Sequence, residues 1–171
     1  MDYLIRVLSD HSGIVQWVIH PAMTDRKRPV GVDDDTWAKQ KLDQTIAKHP
    51  EWAHLTARDY RLSELPEPPE QRKFQHAKLG KAWKDTGAGL TVDLPAACEC
   101  WKNRIRDARK RELPKLDGEW MREQASGRTE QAALIEAKRQ ALRDAPQQVD
   151  RTNPKTVEEL KTLWPVELER P

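Results

Sequence analysis

Apolar side chains are scarce in this chain. Hydrophobic residues make up 37% of its 171 positions, below the ~45–50% of an ordinary globular domain. A single core of the usual depth is therefore not expected, and an elongated or partner-supported chain is. Cysteine is nearly absent. Cys98 and Cys100 stand two apart, which excludes a disulfide framework and, with no secretory h-region, predicts a reducing cytoplasm at synthesis. No apolar run approaches the roughly 20 residues that a membrane helix needs. Neither charge sign dominates, with 30 basic and 28 acidic residues and a formal charge of +2. The totals thus give no reason to expect nucleic acid or an anionic membrane as partner.

Recognisable chemistry is also missing. The five histidines, at 11, 20, 49, 54 and 76, are scattered among turns and prolines. The C-x-C spacing is too short for a zinc site, and two residues apart on a helix point about 200° apart. Asp33-Asp34-Asp35 lacks the alternating spacing of a calcium loop and reads as a helix start. Gly87-Ala88-Gly89 is a turn, not a dinucleotide fingerprint. No nucleophile motif is present. No catalytic residue, metal or cofactor is expected, and the chain reads as a non-enzyme.

What is present is local structure. Leu4, Ile5, Val7 and Leu8, then SDHSG, then Ile14, Val15, Trp17, Val18 and Ile19 predict a β-hairpin turning at Gly13. The DDDTW string opens a helix carrying Trp37, Leu42 and Ile46, ended by His49-Pro50, and Tyr60–Leu62 suggests a third strand. These elements form a ββαβ-like module over 1–65. The prolines of LPEPPE predict a stiff linker over 66–72. The remainder, 73–171, is expected to hold a β-turn segment with a strand at Leu90–Val92, then helices. The first helix is capped by Asp93, with a kink or break before Pro114 and its apolar pattern running on to about Ala125. The second runs from about Thr129 to Pro146, pairing with the first as an antiparallel hairpin. A short helix over TVEELKTLWP has Thr156 and Glu159 as a capping box. The fold class is α+β.

Candidate contact residues follow from helical spacing. Trp101, Ile105 and Ala108 share a face, continued by Leu116 and Trp120, and Leu134 with Leu142 supplies the facing side. Leu160, Leu163 and Trp164 form the apolar side of the last helix. Residues 70–122 carry 13 basic and 8 acidic groups, and CECWKNRIRDARKRELPKL concentrates the cations. Arg104, Arg106, Arg109, Lys110 and Arg111 are the candidate electrostatic contacts. With Trp101 at 0°, they fall near ~300°, ~140°, ~80°, ~180° and ~280° at about 100° per residue. The positive groups encircle the helix except on its apolar face, which predicts a solvated packed helix in preference to a phosphate-binding stripe. Seven tryptophans against one phenylalanine suggest interface anchors, at least two of them facing another subunit.

From Phe74 to Pro165 the sequence reads FQHAKLGKAWKDTGAGLTVDLPAACECWKNRIRDARKRELPKLDGEWMRE, then IEAKRQALRDAPQQ, then TVEELKTLWP. This string resembles the C-terminal region of small proteins encoded in the tail-gene clusters of bacteriophages and prophages. The shared features are V-D-[LM]-P before a helix, R-I-R-x-A-R, K-x-A-L-R-D-A-P and a closing T-x-E-E-L-K-x-L-W-P. KLGKAW and CEC depart from the pattern. The resemblance implies a non-catalytic tail protein, tail fibre-associated or of tail assembly type, in the virion after synthesis in the host cytoplasm. Its expected partners are other tail proteins, met in several symmetric copies or as a homo-oligomer, with neither nucleic acid nor membrane expected. An adaptor at the tail fibre or tail tip is the first expectation. A cytoplasmic assembly chaperone absent from the mature particle is the alternative, and a small nucleic-acid-binding regulator the third.

Overall fold

The computed structural model describes residues 2–21, 28–66 and 81–169. It is an α+β protein, with its strands in the N-terminal part and a helical hairpin in the C-terminal part. The chain divides into two compact units, Met1–Asp93 and Leu94–Pro171. The linker expected at 66–72 lies outside the described residues beyond Pro66, as does most of the Phe74–Trp83 stretch.

In the first unit β1 (Leu4–Ser9) and β2 (Val15–Ile19) form the expected hairpin. β3 (Thr56–Arg61) is longer than the expected Tyr60–Leu62 and pairs antiparallel with β1, giving the order β2-β1-β3. Helix α1 (Asp34–Ile46) starts where the acidic string predicts. Asp33 caps it by accepting the Thr36 N–H at 2.9 Å. It covers the face of β1 that carries Leu4, Arg6 and Leu8, so that Leu8, Ile19 and Leu42 form a core edged by Ile46, Trp52 and Leu55.

The opposite face of the sheet shows where the reading of the sequence fell short. β4 (Trp83–Asp85), unforeseen, pairs with β5 (Leu90–Val92). This second hairpin belongs with the N-terminal unit, not with the helices. It is tied there through Asp85. The Asp85 N–H donates to the Gly13 carbonyl at 2.8 Å, and its side chain meets Ser9, Arg58 and Tyr60. Gly13 has φ +82°, and a Cβ there would sit 2.5 Å from the Asp85 carbonyl oxygen. Glycine is therefore required both for the turn and for the close approach.

In the second unit α2 (Leu94–Ala125) is one unbroken 32-residue helix containing Pro114, contrary to the break allowed before it. Pro114 is exposed, so its ring meets solvent, and packed side chains on both sides hold the helix. α3 (Thr129–Thr152) likewise runs past Pro146, which is buried, and stops at Asn153 in the left-handed conformation, φ 48°. α4 (Val157–Thr162) is capped by the Thr156 hydroxyl, which accepts the Glu159 N–H at 3.1 Å. The Glu159 carboxylate accepts from the Lys155 N–H at 2.6 Å, one residue earlier than a standard capping box.

Candidate interaction surface

The candidate residues of the helical hairpin are divided by the structure into a seam and an outer face. On α2, Ala97, Trp101, Ile105 and Ala108 are buried, and Leu116 and Trp120 continue the row half-buried. On α3, Ala132, Ile135, Arg139, Leu142, Pro146 and Val149 face the seam at alternating spacings of three and four, the spacing that keeps one side of a helix against its neighbour. Leu134 is not among them. It is 59% exposed, and Ala137 and Ala141 are exposed with it. Of the expected facing pair, Leu142 thus lies in the seam and Leu134 on the alanine-rich outer face, since the side carrying Ile135, Leu142 and Val149 buries more area.

The seam contains cations held for internal use. Pro146 has no N–H to offer the Leu142 carbonyl. Arg109 Nη1 supplies the missing donor from across the hairpin, reaching the Leu142 carbonyl at 3.3 Å and the Arg143 carbonyl at 2.7 Å. Arg139 lies 5.1 Å over the Trp120 ring, donates to Asp117 at 2.7 Å and pairs with Glu136. Lys102, 7% exposed, donates to Asp150 at 2.7 Å and pairs with Glu99. Burial pulls its pKa down, but the bonds to Asp150 and Glu99 outweigh this and leave it above its ordinary value.

The last helix closes over the same end. Leu160 and Trp164 are buried and Leu163 half-buried, and Trp164 meets Trp101 edge-on at 5.0 Å between centroids. The Trp164 indole N–H donates to the Leu168 carbonyl at 3.2 Å. Beside this, a cleft of about 340 Å³ is lined by Pro95, Cys98, Glu99, Lys102, Asp150 and Asn153. Burial pushes the Cys98 thiol up, so it is no activated nucleophile. Cys98 and Cys100 form no disulfide.

The remaining candidate cations separate by partner. Lys110 pairs with Asp107 at 2.9 Å, and Arg106 donates to Asn103 at 2.8 Å. Arg104 and Arg111 have no acidic partner among the described residues.

Two features of the N-terminal unit were not anticipated. Its sheet is held by ion pairs that alternate along β3. Asp59 and Arg61 point to the helix side, with Arg6 bonded to Asp59 at 2.6 and 2.8 Å and to Asp43 at 2.5 Å, and Arg61 to Asp35 at 2.6 and 2.5 Å. Arg58 and Tyr60 point to the other side, each 2.8 Å from Asp85 Oδ1, which also accepts the Gly87 N–H at 2.8 Å. Burial would raise the Asp85 pKa, but these donors hold it below the ordinary carboxylate range. Burial, then Asp85, pushes the Tyr60 phenol up to about 12. The legible signal was Arg6 itself, since a cation inside the apolar run LIRVL needs a buried partner. The second feature is an aromatic stack. Trp17, 45% exposed, lies 5.5 Å from Trp52, which stacks on His49 at 4.0 Å.

No protein-family model, curated protein or solved structure matches the chain. The geometry therefore stands alone. Among the described residues no group of three or more His, Cys, Asp or Glu side chains could hold a metal. The polar cleft of about 280 Å³ between Asp10, His11, Ser12, Arg58 and Asp85 has its carboxylates already satisfied by neighbours.

Proposed function

We propose that this chain is a non-enzymatic structural adaptor of a bacteriophage tail, acting through protein–protein contacts at the tail fibre or tail tip. The observation that carries this reading is the run of tail-cluster motifs from Phe74 to Pro165. The motifs supply contacts within one helical unit. R-I-R-x-A-R contains Ile105, Ala108 and Arg109, and A-L-R-D-A-P contains Pro146 with Leu142 and Arg143, whose carbonyls accept from Arg109. The closing L-W-P contains Trp164, which packs on Trp101. The exposed Leu134 and Met121, 59% and 64% accessible, remain for another chain to cover. Several symmetric copies in a tail would supply repeated partner surfaces to a protein with so little core.

Mass spectrometry of purified particles tests the reading. The chain is expected in the tail fraction in stoichiometric amounts. Its absence from mature particles, with tail proteins co-purifying from lysate, would replace the adaptor with a cytoplasmic assembly chaperone.

A further inference from the structure

The cations of α2 encircle the helix in sequence, but internal partners remove most of them. Lys102, Lys110 and Lys115 are paired with carboxylates, and Arg109 is bonded to carbonyls of α3. Arg106 donates to Asn103 and lies away from the remaining group. Arg104, Arg111 and Arg122 are left with no acidic partner among the described residues. The Arg122 Nε–H donates only to the Gly118 carbonyl of its own helix, and Arg104 Nε is buried without a hydrogen-bond partner.

These three are not dispersed. At about 100° per residue they lie within ~20° of one another around the helix, and at 1.5 Å per residue they are spaced about 10 and 16 Å along it. No acidic residue of α2 lies within about 50° of their mean direction. Arg111 and Arg122 are exposed. Sequence spacing alone could not isolate this row, because the side chains that neutralise the other cations come partly from α3.

We propose that the Arg104–Arg111–Arg122 ridge is the docking line for an acidic helix of a partner protein, each guanidinium donating to one carboxylate. Arginine suits the task through bidentate pairing with carboxylates. The spacing argues for such a partner over nucleic acid. A duplex presents one charge per ~1.7 Å of axis and rewards dense positive charge. The ridge offers one unpaired cation per ~13 Å, Lys115 on the same line being paired with Glu112, and Asp107 and Glu119 lie on its flanks. Carboxylates seven and eleven residues apart on a straight partner helix would match it. This assignment rests on the adaptor reading only for the class of partner, and particle composition does not enter its test.

The test uses the full chain and an immobilised synthetic helical peptide with three glutamates spaced seven and eleven apart, at low salt. R111Q/R122Q and R106Q/K110Q remove the same charge from different sides of the helix. The ridge predicts a loss of about fivefold for the first, consistent with two exposed ion pairs, and less than about twofold for the second. Both variants should keep the wild-type circular dichroism spectrum and melting point, since Arg104 is left in place. Equal losses in the two variants would show general attraction and overturn the ridge, as would failure of the wild type to bind the peptide. Tighter binding to a DNA duplex of about 24 base pairs than to the peptide, falling steeply with salt, would replace the protein partner by nucleic acid.

Discussion

Asp85 has a side chain with no exposed surface, yet its carboxylate accepts from Ser9, Arg58, Tyr60 and the Gly87 N–H. A buried charge is tolerated only when its hydrogen-bonding capacity is met. Removing the charge breaks the pair with Arg58 and weakens three further bonds. Asp85→Asn is expected to cost about 2–4 kcal/mol in denaturant unfolding of the N-terminal unit. The pH dependence follows from the depressed folded-state pKa. The unfolded carboxyl titrates near 3.8, so the stabilisation is fully present above that value and lost as pH falls through the lower folded value. The difference between wild type and variant should therefore narrow below about pH 4. A gap that stays constant from neutral pH to pH 2 would assign the effect to packing.

At the scale of the element, the helices survive features that sequence rules count against them. Pro146 deprives the Leu142 carbonyl of its donor within α3, and Arg109 of α2 replaces it. The two residues should therefore be energetically coupled. Arg109→Met alone is expected to cost about 1–3 kcal/mol in thermal or denaturant unfolding. In a Pro146→Ala background the backbone N–H is restored, and the same substitution should cost at least about 1 kcal/mol less. Additivity within about 0.3–0.5 kcal/mol would deny any coupling between Arg109 and Pro146. Strand β3 presents the converse case. TARDYR reads as too charged for a core strand, but its odd and even side chains answer different elements, Arg6 of β1 and Asp35 of α1 on one side and the second hairpin on the other. The hairpin β1–β2, the start of α1 and the cap of α4 were legible because each rests on neighbours in sequence. The strand β4 was not, because its three residues carry no pattern of their own and are defined by pairing with β5 and by the reach of Asp85.

For the molecule as a whole, two leucines of α3 separate folding from assembly. Leu142 is fully buried and Leu134 is 59% exposed. Leu142→Ala should cost about 2–5 kcal/mol, whereas Leu134→Ser should change stability by no more than about 0.5 kcal/mol. If the chain is a tail adaptor as proposed and its outer face meets a partner, Leu134→Ser should nevertheless reduce the amount of the chain in purified particles. Undiminished incorporation would exclude Leu134 from the interface. Of the residues expected in hairpin packing or a partner interface, Trp101, Ile105, Ala108 and Leu142 lie in the seam and Leu134 lies on the outer face. The spacing of apolar residues fits two phases on α3, and only packing against α2 selects one.

The amino-acid sequence by itself determined the α+β class, the N-terminal hairpin, the helix starts and the thin apolar content, because these depend on local preferences and composition. Only the tertiary structure decided the unit boundary after Asp93, the passage of both long helices through their prolines, and the division of the cations into paired and unpaired. Each depends on groups far apart in sequence. Arg109 and Pro146, Asp85 and Arg58, and Lys102 and Asp150 meet only once the chain has folded, and a charge reveals its role only when its partner is known.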